Sequence, residues 1–462
     1  MAANLMDSLL AAPALVKILG AFAAVLVAAR LKLHLGLAMV LGALVLGAWS
    51  RLPGGEILST ILRALVDLQT WGLVILVVLI LFFGRILSLS GRLDRVVRAT
   101  VAKIGSRRRA SAFLPALIGL LPMPGGAILS APMVESAAAR EGLSPERLTA
   151  INYWFRHLWE YWWPLYPGVI VAVGILEAAR PEGINLGWFI LFELPLTFVV
   201  FFWGKIFLLG RSYSNDRNRG KPSPESEAPP SPAGTPPEEG ASPPGSLLGG
   251  MAPILLVVGL TLLWNLYAIA GRALDFPVPL LPKTLPLTLF VILGIFHVFR
   301  SEGLGRKQFL EMVRHKTALD MVFLILGVMA FRAMVSDSGS VVHLGGELKE
   351  MGVPVLALAA ALPFTAGLVT GIAVGFAGAS FPVVAALMPH GADPLTLASF
   401  YVLAFGAGYT GMMLSPVHFC LVLTKDYFKA SLAGTYRLLA LPALFLFLSV
   451  LALSRLYALL GG

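Results

Sequence analysis

The sequence predicts an all-α polytopic membrane protein, with about ten transmembrane helices and two re-entrant hairpins in an inverted-topology repeat. The first observation is composition: 57% of the 462 residues are hydrophobic, 13% are charged, and the mean hydropathy is +0.83. A chain this apolar is typical of helices that lie in lipid. The second is an internal repeat, because two apolar segments about 250 residues apart both open on Leu-Pro and end on Ser-x-Pro.

Five spans are predicted in each half of the chain. A helix needs roughly 20 apolar residues to cross a bilayer, and the apolar runs approach that length. Residues 1–210 form the first repeat and 247–462 the second. Between them, 211–246 carries nine prolines among serines and glutamates and is predicted to be a disordered linker. The spans are placed at 9–29, 33–50, 68–87, 148–172 and 186–209, then at 248–270, 284–299, 317–335, 395–424 and 434–458.

The two repeated segments, 110–139 and 356–388, are predicted to be hairpins. Each is interrupted at its centre, by Pro122-Met123-Pro124-Gly125-Gly126 in the first and by a glycine-rich run in the second. The arms of the first segment are too short to cross a core of about 30 Å. Bare backbone at that depth is tolerated only against protein or water, so we expect both tips to line a cavity.

The distribution of basic residues predicts the orientation. The loop 85–109 holds eight basic residues and one acidic residue, and the loop 300–316 holds five and two. Basic loops stay in the cytoplasm, so these loops and the linker are expected there and both termini outside, in the inner or plasma membrane. The first hairpin then opens to the cytoplasm and the second to the outside. The net charge of +10 is a topological signal, and no nucleic-acid partner is expected.

The densest polar cluster within a span lies in 148–172. Asn152, Arg156 and Glu160 fall within an arc of about 80° on a helix, and His157 adjoins them. Ionisable residues inside a membrane usually mark a binding site or a pathway. The alternative is a structural ion pair that locks two helices together. Glu193 is placed near a span end, where snorkelling is the simpler explanation.

Both hairpins present half-helix N-termini to the centre, where backbone N–H groups suit an anion. Gly125 and Gly126 are expected at the first tip, and Arg156 as the bidentate anion partner. Hydroxyl groups near the tips are candidates for substrate or Na⁺, although such groups often bond their own helix. These residues are Ser130, Thr365, Thr370 and Ser380.

Pro416 breaks the ninth span where Pro167 breaks the fourth, so a kinked helix lies beside each hairpin. Ser415 and His418 flank that second break and are further candidates, although a lone histidine beside a kink is commonly satisfied by freed backbone. The coupling ion stays open between H⁺ and Na⁺, with Na⁺ expected near Ser130, Thr370 and Ser415. The single cysteine, Cys420, permits neither an internal disulfide nor a thiolate cage.

The motifs LPMPGGAILSAPMV, NYWFRHLWEYWWPLYPG and GYTGMMLSPVHFCLVLTKDYF resemble a known group. They look most like domain-of-unknown-function family four hundred and one, an uncharacterised membrane branch of the ion transporter superfamily. That superfamily also includes divalent anion:sodium symporters, gluconate and citrate carriers, and sodium/proton antiporters. The resemblance implies a scaffold region, a transport region built from both hairpins and the broken helices, a homodimer, and elevator-like alternating access.

The hairpin tips depart from the Ser-Asn-Thr signatures of the divalent anion symporters, so dicarboxylate specificity is not expected. We expect a cation-coupled carrier of a small organic anion in a lipid bilayer, with no cofactor other than Na⁺ or H⁺. Arg156 is the expected anion partner, Glu160 the coupling carboxylate and Asn152 the orienting group. The main alternative is a sodium/proton antiporter on the same fold. A remote alternative is an intramembrane enzyme, because the sequence lacks Gly-x-Ser-x-Gly and His-Glu-x-x-His motifs.

Overall fold

A computed structural model describes most of the chain, and the statements below concern those residues. Within them the chain is helical and forms no β-strand, which confirms the predicted all-α class. The predicted linker 211–246, most of the basic stretch 93–105 and the first eleven residues lie outside. The described ranges are 12–92, 95–96, 106–122, 126–139, 141–179, 184–210, 247–274, 278–279, 281–314, 316–339, 347 and 350–461.

The helices of the described ranges are numbered α1 to α18 in chain order. In the first half they are α1 Ala14–Arg30, α2 Leu35–Trp49, α3 Gly54–Val66, α4 Leu68–Leu89, α5 Arg107–Ile118, α6 Gly126–Ala138, α7 Pro145–Arg156, α8 Pro167–Ala179 and α9 Leu186–Leu208. In the second half they are α10 Leu247–Ala273, α11 Leu285–Ser301, α12 Arg306–Val313, α13 Lys316–Asp337, α14 Val355–Thr370, α15 Ala373–Leu387, α16 Pro394–Met413, α17 Phe419–Phe428 and α18 Leu432–Gly461.

Six helices within the described ranges are long and apolar enough to cross a bilayer. The predicted spans 9–29, 33–50 and 284–299 correspond to α1, α2 and α11, which have 17, 15 and 17 residues. The six are α4, α9, Leu248–Gly271 within α10, Arg306–Asp337 across α12 and α13, α16, and α18.

Two predicted spans are broken into separate helices. Span 148–172 divides into α7 and α8, with residues 157–166 between them in a series of turns. Span 395–424 divides into α16 and α17, separated by residues 414–418. Proline accompanies both breaks. Pro167 begins α8 at a position where its missing N–H costs nothing, and Pro416 lies within the second break. Pro167 accounts for the start of α8, whereas α7 ends at Arg156, before the turns.

The predicted spans do not include α3, because this helix is too short to be recognised as a span. One face of this amphipathic helix packs on α13 and buries Thr60, Ile61 and Ala64. Thr60 Oγ1 donates to Asp337 at 2.9 Å, and Arg63 pairs with the same carboxylate at 3.2 Å. The helix therefore joins the outer bundle, in which α13 also packs against α2 and α4.

The central helices, α5 to α8 and α14 to α17, pack across the two halves of the chain. α5 packs along α6, and α14 packs along α15, as two pairs of hairpin arms. The helix that follows each break packs against the hairpin of the other half of the chain. α8 packs on α15, and α17 packs on α6. The result brings both hairpins and both breaks into one buried region.

Candidate functional site

The first break is built by a helix that ends inside the protein. α7 begins at Ser144, whose Oγ accepts the N–H of Arg147 at 3.3 Å, with Pro145 in the first helical position. Every residue from Thr149 to Arg156 is buried. The helix ends at Arg156, and His157 occupies its C-cap position. The polar residues predicted for this span therefore lie at an interior helix end.

Arg156 and Glu160 form a buried ion pair. Arg156 Nη1 lies 3.5 Å from Glu160 Oε1, and the side chains are 2% and 9% exposed. Glu160 follows the end of α7, so the pair does not result from the helical stripe that the sequence predicted. Buried charges need partners because removing them from water is costly. The turn segment supplies that partner.

Arg156 also lies against the start of the first hairpin's second arm. A Cβ atom added to Gly126, the first residue of α6, would lie 2.6 Å from Arg156 Nη2 and 3.0 Å from Nε. A side chain at this position would displace the guanidinium from the helix N-terminus. Gly125 lies outside the described residues. A guanidinium and the N–H groups of a first helical turn are both attracted to anions, so this arrangement suits an oxyanion.

Asn152 links three helices of the site and is fully buried. Its Nδ2 donates to the carbonyl of Ala127 in α6 and to Thr424 Oγ1 in α17, both at 3.2 Å. Among the described residues its Oδ1 has no hydrogen-bond partner. A buried acceptor without a partner is costly, and it is suited to a donor or a cation brought by a ligand.

The two breaks meet at a histidine pair. His157 Nε2 lies 3.2 Å from His418 Nε2, and the rings are inclined at 74° with centroids 5.0 Å apart. His157 Nδ1 lies 2.6 Å from the carbonyl of Tyr153, which places its proton on Nδ1 and leaves the Nε2 lone pair for His418. His157 Nε2 is also 3.8 Å from Glu160 Oε1. Glu160, His157 and His418 thus form a polar line, in which only the two histidines are within hydrogen-bonding distance.

The second hairpin tip lies against the second break. α14 ends at Gly371 in the left-handed conformation (φ 67°), and α15 begins two residues later. A Cβ at Gly371 would lie 3.0 Å from both Ser415 Oγ and the N atom of His418. Ser415 Oγ donates to the carbonyl of Leu368 at 2.7 Å, which ties the break to the last turn of α14.

The remaining hydroxyl candidates bond their own helices. Ser130 Oγ lies 3.4 and 3.3 Å from the carbonyls of Gly126 and Ala127. Thr365 bonds Ala361, Thr370 bonds Ala366, and Ser380 bonds Phe376, at 2.7, 2.7 and 2.6 Å. Of the three residues proposed for Na⁺, Thr370 and Ser415 lie at the second tip and Ser130 lies on the first hairpin.

Aromatic residues of the first break cap the end of α5. Trp159 Nε1 donates to the carbonyl of Ala116 at 2.8 Å, and Trp163 Nε1 donates to that of Leu120 at 3.0 Å. The Tyr166 hydroxyl donates to the carbonyl of Gly119. The last carbonyls of a helix lack partners within it, and at a buried end other segments of the protein have to supply donors. The cluster of aromatic residues between 159 and 166 therefore holds the first hairpin arm in place.

Comparison with known families identifies the chain. The model of the family described as "Protein of unknown function (DUF401)" matches residues 14–219 and 248–456. The chain belongs to the DUF401 family. A comparison with curated protein sequences finds no match.

Two solved structures resemble the fold of this DUF401 protein. One is MtrF of Neisseria gonorrhoeae, described as illuminating a class of antimetabolite efflux pumps, at TM-score 0.56 and 14% identity, over 88% of this chain and 85% of that one. The other is the YdaH transporter of Alcanivorax borkumensis, with its unusual topology, at TM-score 0.55 and 14% identity, over 88% and 89%. At this identity the likeness concerns the fold.

Three buried groups of the DUF401 protein were not predicted as site residues. Thr424 and Cys420 lie in α17, and Thr424 receives the hydrogen bond of Asn152. Cys420 and Thr424 follow His418 by two and six residues, and this spacing was the available signal. Glu193 is fully buried in α9, and its carboxylate oxygens have no hydrogen-bond partner among the described residues. This corrects the expectation that Glu193 snorkels to an interface.

Proposed function

We propose that this DUF401 protein is a secondary active transporter that carries a small organic anion, coupled to Na⁺ or H⁺, by alternating access in a cell membrane. The observation that supports it is the position of the Arg156 guanidinium against Gly126 at the N-terminus of α6. A buried cation and a half-helix N-terminus converge at one place, and both favour negative charge. Its fold likeness to MtrF and YdaH supports transport over enzymatic chemistry.

The proposed anion binds between Arg156 and the first turn of α6. Arg156 already contacts Glu160 at 3.5 Å, a separation longer than a close charge-assisted hydrogen bond of about 2.7–2.9 Å. An arriving carboxylate competes with Glu160 for the guanidinium. The Oδ1 atom of Asn152, whose Nδ2 is fixed by Ala127 and Thr424, is the group that orients a donor on the substrate.

Coupling is assigned to Glu160. When the anion takes over Arg156, Glu160 loses its countercharge in a buried setting, and a bound H⁺ or Na⁺ compensates for it. The polar line from Glu160 through His157 to His418 joins the two breaks and suits a proton. Thr370 and Ser415 at the second tip remain the proposed oxygen ligands for Na⁺.

The sodium/proton antiporter is the second candidate, and the same polar line favours it. In that reading Glu160 exchanges the two ions and Arg156 only tunes it. An intramembrane serine enzyme receives less support, because Ser130 and Ser415 donate to backbone carbonyls of Gly126, Ala127 and Leu368. A nucleophilic serine needs a base within hydrogen-bonding reach.

The test is a melting-temperature screen of the detergent-purified protein against small organic anions, antimetabolites included, with and without Na⁺ and at two pH values. A ligand that binds only the folded state at a hundredfold excess over Kd raises stability by about 2.7 kcal/mol. We expect a shift with one anion class in the wild type and none in Arg156→Gln. Transport of that anion in proteoliposomes then shows which ion gradient drives it.

The matched control is Arg147→Gln. Arg147 is another buried arginine of α7, and its Nη1 donates to the carbonyls of Phe207 and Leu208 at 3.4 and 3.5 Å. Its loss should lower the melting temperature and leave the anion-dependent shift in place. Shifts with Na⁺ or pH alone, and with no anion, would reject the symporter and favour the antiporter.

A further inference from the structure

We propose that the meeting point of the two breaks is a binding site for a soft divalent transition-metal ion such as Zn²⁺ or Co²⁺. The ligands are His157, His418 and Cys420. One ring nitrogen of each histidine and Cys420 Sγ lie within 4.8 Å of one another, and all three residues are buried. The residues come from α7 and α17 and their caps, so they belong to different halves of the chain.

The distance between the two histidine nitrogens fits a tetrahedral ion. Two imidazole nitrogens bound to one Zn²⁺ at about 2.0–2.1 Å lie roughly 3.3–3.4 Å apart when the geometry is tetrahedral. His157 Nε2 and His418 Nε2 are 3.2 Å apart. Imidazole and thiolate ligands select Zn²⁺, Co²⁺ and similar ions over Mg²⁺, Ca²⁺ and Na⁺, which prefer oxygen.

The surroundings of His157 match those of a metal-binding histidine. Its Nδ1–H donates to the carbonyl of Tyr153 at 2.6 Å. Histidines that bind metals usually donate their second ring N–H to a carbonyl or carboxylate, which fixes the tautomer and points the other nitrogen at the ion. His418 Nδ1 has no hydrogen-bond partner within the described ranges, so it can take up the proton that Nε2 releases when an ion binds. The hydrogen bond between the two Nε2 atoms is then replaced by a bond from each nitrogen to the ion.

Two nearby carboxylate and thiolate groups offset most of the charge of the ion. Two neutral imidazoles and one thiolate leave a divalent ion with a single positive charge, which is costly in a buried site. Glu160 Oε1 lies 3.8 Å from His157 Nε2 and shares its negative charge between the ion and Arg156, whose Nη1 is 3.5 Å away. Binding displaces the Cys420 thiol proton to solvent, and the His418 proton moves from Nε2 to Nδ1.

Exposed residues adjoin the buried ligands on the side of the second hairpin tip. Val417, which precedes His418, is 47% exposed, and Ile372 of the tip is 38% exposed, whereas His418 is 5% exposed. The proposal does not depend on the proposed function, because it is tested without any organic anion.

The experiment is a Co²⁺ titration of the full-length purified protein, followed by absorption. We expect one ion per chain, with the visible bands of tetrahedral Co²⁺ and a near-ultraviolet thiolate-to-cobalt charge-transfer band. Since Cys420 is the only cysteine, that band reports on a single residue. Zn²⁺ should bleach the spectrum and raise the melting temperature, whereas Mg²⁺ and Ca²⁺ should do neither.

Variants separate the site from surface binding. Cys420→Ser should lose the charge-transfer band, and His157→Gln and His418→Gln should weaken Co²⁺ binding at least about tenfold. His390→Gln, an exposed histidine before α16, is the matched control and should bind as the wild type does. Where a histidine variant fails to fold, the wild-type spectrum and Cys420→Ser decide. Absence of the charge-transfer band, or its persistence in Cys420→Ser, would overturn the proposal.

Discussion

Tyr153 and Tyr409 each donate a hydrogen bond to the end of the helix that carries the other. Tyr153, in α7, donates to the carbonyl of Met413, the last residue of α16, at 3.0 Å. Tyr409, in α16, donates to the carbonyl of His157 at the end of α7, at 2.8 Å. Helix ends inside a protein expose carbonyls that need donors from other segments. The exchange therefore holds the two breaks, one from each half of the chain, at a fixed relative position.

Removing either hydroxyl should destabilise the protein. Tyr153→Phe and Tyr409→Phe each leave a buried carbonyl without its donor, and we expect each to lower the free energy of unfolding by about 1–3 kcal/mol. Tyr161→Phe is the matched control, because the Tyr161 hydroxyl is buried without a hydrogen-bond partner among the described residues. Its loss should leave the melting temperature equal or higher. Equal effects of all three variants would show that the hydrogen bonds of Tyr153 and Tyr409 contribute nothing to stability.

Gly126→Ala should weaken anion binding. The new methyl group would lie 2.6 Å from Arg156 Nη2, so the guanidinium must move away from the start of α6. We expect the Kd of the anion found in the thermal screen to rise about tenfold or more, which is about 1.4 kcal/mol.

The matched control for this change is Gly259→Ala. Gly259 lies in α10, with nothing within 4 Å of an added Cβ. Alanine there should leave anion binding unchanged and raise stability by about 0.5–1 kcal/mol. Wild-type affinity in Gly126→Ala would contradict the assignment of the anion to Arg156 and the start of α6.

Glu193→Leu should stabilise the protein. The wild-type carboxyl group is fully buried in α9 and has no hydrogen-bond partner within the described residues. A side chain of similar size without polar atoms removes a penalty of about 1–3 kcal/mol. Glu193→Gln keeps polar atoms and should stabilise the protein less than Glu193→Leu does. Transport by the same variants shows whether the protein needs the carboxyl group for its function. A lower melting temperature in the leucine variant would mean that Glu193 has a stabilising partner.

Asp393→Ala should remove the N-terminal cap of α16. Asp393 Oδ1 accepts the N–H groups of Leu395 and Thr396 at 2.8 and 3.1 Å, and Oδ2 accepts the Thr396 hydroxyl at 2.5 Å. We expect a loss of about 0.5–2 kcal/mol at neutral pH, and a much smaller loss in Asp393→Asn.

The cap should also depend on pH. The hydrogen bond from the Thr396 side chain, followed by the backbone N–H groups, lowers the pKa of Asp393. A lowered folded-state pKa means that the carboxylate's extra stability is present above the usual pKa of Asp and is lost as pH falls through the lowered value. The difference in melting temperature between wild type and Asp393→Ala should therefore shrink in acid. The difference between Asp393→Asn and Asp393→Ala, in which residue 393 does not titrate, should not shrink in this way.

The sequence by itself determined the class of the protein and the two spans that break. Apolar composition required helices that satisfy their own backbone in lipid, and Pro167 and Pro416 marked the spans in which a helix is interrupted. The polar residues of 148–172 were also visible as a local cluster, because a charge inside an apolar run is unusual. These are local properties, and a linear pattern records them.

Only the tertiary structure decided what the polar cluster contacts. His157 and His418 are 261 residues apart and meet at 3.2 Å because α17 packs across α6 and α7. The end of α7 at Arg156 could not be read from periodicity, since that end is stabilised by Tyr409, 252 residues from His157. Helical periodicity describes one helix at a time, whereas the partners of an interior helix end come from distant segments. Packing between the two halves therefore places Arg156 on Gly126 and brings Cys420 to the histidine pair.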